Sequence, residues 1–188
     1  MNQNSVLEWG VKIVTSLFAM FGGFLTFIAP PEEANSRFAV GLSSSLALVI
    51  LLLISALVKK PHTLKTRRKW LVTTVVFACL IPVTGLVYWW NLNSLTFPYP
   101  PESTKADYVA GTKLSSQAQK YLDENPGKTI SAVVADYGGL ENRELVWSAE
   151  AIRNAKMRLL VTYIAFVLSL ATTIFCLTES LLSPASKP

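Results

Sequence analysis

Apolar residues in this chain fall in long uninterrupted blocks, not in the alternation of strands or the spaced stripe of a half-buried helix. Four blocks carry no Asp, Glu, Lys, Arg or His: residues 13–29, 38–58, 70–90 and 159–178. Crossing a hydrocarbon core of roughly 30 Å takes about 20 helical residues, so each block predicts a membrane span. The expected fold is an all-α integral membrane protein with four transmembrane helices. A small helical extramembrane element stands between the third and fourth. The chain divides accordingly into a three-span region (1–90), an extramembrane segment (91–157), and a fourth span with its tail (158–188).

Local signals add detail. Gly22, Gly23, Gly41, Ser43, Ser44 and Ser45 allow close helix contact. Pro82 predicts a kink in the third span. Trp9, Trp70, Tyr88, Trp89 and Trp90 read as interfacial aromatics. Residues 91–101 hold Pro98, Pro100 and Pro101 and predict an extended, polyproline-like exit from the membrane. Three helix starts follow at Ser115, Thr129 and Ser148, each an N-cap residue type. Asn125-Pro126-Gly127 ends the first helix and Gly138-Gly139 the second. Trp147 and Ile152 flank the third start as a hydrophobic staple. Beyond it no Gly or Pro interrupts the chain before Pro184, which predicts one helix over 149–182 that begins outside the bilayer and runs through it.

Charge orients these elements. Only 15% of residues are charged, against about 25% in soluble domains. Much of the +5 net charge comes from Lys59, Lys60, Lys65, Arg67, Arg68 and Lys69, a short loop without an acid. By the positive-inside rule that loop is cytoplasmic, which places both termini in the cytoplasm and 91–157 outside. Arg153, Lys156 and Arg158 flank the last span against this trend. The six loop cations also fit an anionic ligand, either lipid headgroups or nucleic-acid phosphate. Cys79 and Cys176 form no C-x-x-C pair, and His62 lies alone, so neither a redox centre, a metal site nor a cofactor is expected.

No span carries an Asp, Glu, Lys, Arg or His near its middle, which argues against a proton-coupled carrier. No hydrolase or metalloprotease motif occurs either, so no catalytic residues are assigned. The positive feature is a stripe in the last helix. It reads Ser148, Ala151, Ala155, Arg158, Thr162, Ala165, Ser169, Thr172, Cys176, Glu179 and Ser183, all small, hydroxylic or charged. Bulky residues lie off it, Val167 among them and expected to face lipid. A seven-residue repeat keeps one face toward a neighbour. Two readings remain open. One is close helix packing. The other is a pore lined by Arg158, Thr162, Ala165, Ser169, Thr172, Cys176 and Glu179 from symmetry copies, with charge at each mouth.

The run Asp136-Tyr137-Gly138-Gly139, then Val146 to Ile152, then a basic turn entering a span, resembles small multi-span membrane effectors of bacterial anti-phage defence. It is nearest to the Hailong type, whose membrane subunit is called HalB. The resemblance covers roughly the second half of the chain. It implies a homo-oligomeric ion channel of the bacterial inner membrane, with both termini cytoplasmic, that depolarises that membrane. It also implies gating by an oligonucleotide from a nucleotidyltransferase partner. An accessory or assembly subunit of a larger membrane complex is the alternative.

Overall fold

The computed structural model describes residues 25–57, 64–105 and 107–182, and it is mainly helical. Helix α1 spans Glu33–Leu57, α2 Leu64–Leu95 and, after a connecting region, α6 Ala149–Leu182. Two stretches, Arg68–Leu95 and Ala149–Ser180, are long and apolar enough to cross a membrane, while α1 contributes a shorter apolar stretch, Ser36–Leu51. The block expected over 13–29 lies outside the described residues except for its end, where 25–27 are helical.

Helices α2 and α6 run antiparallel: Trp70 meets Phe175 edge-on at 6.0 Å, while Tyr88, further along α2, meets Tyr163 and Phe166, earlier in α6. Helix α2 continues unbroken across Pro82, as helices in apolar surroundings tolerate when neighbours hold them. Helix α1 packs on α6, and the shared core includes Leu25, Ala39, Tyr88, Leu95, Leu159, Tyr163 and Val167. Val167 is therefore a core residue, 3% exposed, and not the lipid-facing one expected. Tyr88 and Trp70 are likewise buried, whereas Trp89 and Trp90 stand 58% and 69% exposed. Helix periodicity explains the split: successive residues point 100° apart, so an aromatic cluster cannot all face outward.

Between α2 and α6 the chain builds a cap. The expected extended exit at 91–101 is instead helical through Leu95. Thr96–Phe97 (β1) then pairs antiparallel with Tyr108–Val109 (β2). The prolines lie beyond the pairing, where their missing N–H groups cost no ladder bond. Helices α3 (Ser116–Glu124), α4 (Ile130–Asp136) and α5 (Arg143–Val146) follow. Ser115 and Thr129 cap α3 and α4 as expected, accepting from Ala118 N at 3.2 Å and Ala132 N at 3.3 Å. Gly138 and Gly139, both at positive φ, close α4 by donating to Ala135 O and Val134 O, a Schellman arrangement. Ser148 accepts from Ala151 N at 3.2 Å and starts α6. Phe97, Val133, Val134, Val146, Trp147 and Ile152 form the cap's own core. Both staple residues thus contribute to one cluster.

Candidate functional site: the junction of cap and long helices

A helix leaves its last four carbonyls without intrahelical partners, and in apolar surroundings water cannot supply them. The helical turn ending near Ile28 meets that need through two tyrosines from other elements. Tyr163 of α6 donates to Leu25 O at 2.9 Å and Tyr88 of α2 donates to Ile28 O at 2.5 Å. The two rings lie 5.6 Å apart. Three segments distant in sequence are thereby pinned at one point.

Four residues further on, Glu32 joins the same region to the cap. Its Oε1 accepts from Val109 N of β2 at 3.2 Å and from Arg143 Nη1 of α5 at 2.9 Å. Its Oε2 accepts from Lys156 Nζ of α6 at 2.6 Å. The carboxylate side chain is only 16% exposed, against 24% for Arg143 and 29% for Lys156. Partial burial, the largest influence, works to raise its pKa. Hydrogen bonds from Lys156, Val109 and Arg143, with the Arg143 charge, outweigh it and hold the carboxyl below its ordinary value. Glu32 also sits at φ 69°, a left-handed conformation that costs a side-chain-bearing residue about 1–2 kcal/mol. The contacts it makes offset that cost. We refer to this arrangement as the clasp.

Beside the clasp lies a cavity of about 150 Å³ between the start of α1 and the cap end of α6, with Pro30, Phe38, Ala39, Lys156, Met157 and Leu160 among its lining. Its wall is apolar except at Lys156, whose ammonium belongs to the clasp.

The residues singled out from sequence fall into three groups. Arg158 and Ala165 are exposed and Thr162 partly so, with the Thr162 hydroxyl donating to Arg158 O. Ala151, Ala155, Ser169, Thr172 and Cys176 are buried within the single chain, and Glu179 is half-buried. The stripe thus has no single environment. Ala151 belongs to the cap core and Ala155 to the core shared by the long helices, the middle from Arg158 to Ala165 is the most open part, and Ser183 lies outside the described residues. A seven-residue repeat drifts by about 20° per heptad on a straight helix, so one stripe meets several neighbours over 34 residues. Of the basic loop, Lys59 and Lys60 lie outside the described residues, Lys65 and Arg67 belong to the first turn of α2, and Arg68 and Lys69 are exposed on it.

In the cap, Lys128 donates to Asp136 and to Tyr121, both at 2.6 Å. Hydrogen bonds from Lys128 and Tyr121 lower the Asp136 pKa, and the Asp136 bond raises that of Lys128. The group is solvent-exposed and ties the end of α3 to α4. Among the described residues no three His, Cys, Asp or Glu side chains converge as a metal site would require.

Sequence reading missed Glu32, Tyr88 and Tyr163 as junction residues. One signal for Glu32 was present: an acid in a short link, with Arg153, Lys156 and Arg158 standing where topology did not call for cations. Comparison with known protein families, curated proteins and solved structures finds no match to this chain.

Proposed function

We propose that the chain is a subunit of a homo-oligomeric membrane channel whose cap governs the long helices through the junction. The carrying observation is the surface that one chain leaves uncovered. Val75, Val83, Leu86 and Trp90 on α2 and Val161 on α6 are all more than half exposed. They accompany an open strip of Arg158, Thr162 and Ala165. Surfaces of this kind need lipid on the apolar side and a partner or a water path on the polar one. The remaining stripe residues, Ser169, Thr172 and Cys176, act in this reading as close-packing contacts inside the subunit. The proposed setting is a bacterial inner membrane with four spans and both termini in the cytoplasm. The defence-effector resemblance adds an oligonucleotide or protein partner as the opening signal, received by the cationic segment from Lys59 to Lys69. The second reading, an accessory subunit, draws on the same burial of Ser169, Thr172 and Cys176, which is what a packing stripe requires.

Reconstituted protein separates the two. Thr162→Leu should reduce ion flux while leaving the oligomer intact. Ser169→Leu should damage folding, since leucine would overfill a position 6% exposed. Wild-type flux that Thr162→Leu and Glu179→Lys both leave unchanged would rule out a pore along this helix.

A further inference from the structure

We propose that the pore conducts anions, with Arg158 at its cap-side mouth as the residue that selects them. The inference rests on the channel reading above and adds the sign of the permeant ion. The open strip on α6 runs from Asn154 through Arg158 and Thr162 to Ala165, positions whose spacing keeps them on one side of a helix. Arg158 is the only charge on it. Among the described residues no acid pairs with Arg158. The nearby carboxylate, Glu32, is held by Arg143 and Lys156. One acid there faces two cations, so the clasp adds positive potential to this end and offsets none. Glu150 stands two turns from Arg158 on the same helix, about 12 Å along the axis, beyond the roughly 8 Å over which physiological salt screens exposed charges.

The far mouth decides between two opposed signs. A ring of Glu179 by itself would favour cations, as a ring of Arg158 favours anions. Helices α2 and α6 are antiparallel, with Trp70 against Phe175. Glu179 follows that contact toward the end of α6. Arg68 and Lys69, both exposed, precede it toward the start of α2. The acid therefore shares its end of the bundle with cations, whereas Arg158 has no such counterweight. Residues 159–178 between the mouths hold no Asp, Glu, Lys, Arg or His, so nothing along α6 reverses the sign. Low-dielectric walls of this kind focus the field of the charges at their ends.

The test reconstitutes the full chain in planar bilayers of phosphatidylcholine, whose surface carries no net charge. The chloride-to-potassium permeability ratio is read from the reversal potential in a potassium chloride gradient. Recordings are made with and without a mixed-sequence single-stranded DNA oligonucleotide as opening probe. Wild type should favour chloride. Arg158→Gln should lower the ratio by about fivefold, the weight of one charge near a surface, and Arg158→Glu should reverse the preference. Arg153→Gln removes an exposed cation at the same end, about 140° round the helix from Arg158, and should leave the ratio as in wild type. Glu179→Gln should leave chloride preferred. A wild-type channel that prefers potassium or shows no preference would overturn the inference and leave the channel standing, as would equal losses from Arg153→Gln and Arg158→Gln. A wild-type oligomer in the bilayer that passes no current with or without the oligonucleotide would overturn the channel reading and the inference with it.

Discussion

Replacing Glu32 by glutamine removes one charge and almost no volume, so it isolates the clasp's electrostatics. The amide oxygen can still accept from Val109 N, but an NH₂ group now faces the Lys156 ammonium, donor against donor. Hydrogen bonds to charged groups contribute about 1.5–3 kcal/mol each. Arg143 and Lys156 are about a quarter exposed and can turn to water, which cuts the loss. We expect about 2 kcal/mol, concentrated where the link meets β2 and α5. At 1.4 kcal/mol per tenfold, opening of that region should become about 30-fold more frequent. Amide hydrogen exchange reads this directly at Val109. Amides inside α3 and α4, whose hydrogen bonds do not involve Glu32, should change far less. Glu144→Gln, at an exposed acid on α5, is the control. If Val109 exchanged within twofold of wild type, the clasp would hold nothing. If every amide accelerated equally, Glu32 would act on the whole fold and not on the junction.

The pH dependence follows from the same residue. Its folded pKa lies below the unfolded value, so the clasp's contribution is fully present above the ordinary glutamate pKa of about 4.3. It is lost as acid carries the pH down through the lower folded value. Exchange at Val109 in wild type, corrected for intrinsic rate, should therefore be flat from neutrality to about pH 5 and rise below about 4. In Glu32→Gln that rise should vanish. In the cap core, a Cβ at Gly111 would stand 2.5 Å from Trp147 Cγ, and that ring is 2% exposed. Gly111→Ala should cost about 1–3 kcal/mol as overpacking, visible as a lowered melting temperature and altered tryptophan fluorescence.

Local chemistry made much of this protein readable in one dimension. Ser115, Thr129 and Ser148 start helices because a side-chain oxygen satisfies orphan N–H groups wherever the chain turns helical. Gly138-Gly139 ends α4 because only glycine takes those φ values without strain. The absence of Gly and Pro let α6 be drawn from Ala149 to Leu182. Each judgement depends on residues within four positions of one another. Tertiary structure decided the rest, through distances no local window spans. Glu32 reaches Arg143 and Lys156 across more than a hundred residues, and Tyr163 reaches Leu25 across 138. Residue type alone reads such groups as a solvated acid and a membrane-belt or lipid-facing aromatic. The two-residue ribbon at Thr96–Phe97 was equally invisible, being too short for any period and held by its partner strand. The stripe shows the boundary between the two kinds of knowledge. Spacing along the sequence revealed a small and polar face on α6. Which parts of it are covered depends on where α1, α2 and the cap come to rest, because burial is a property of neighbours and not of the residue that is buried.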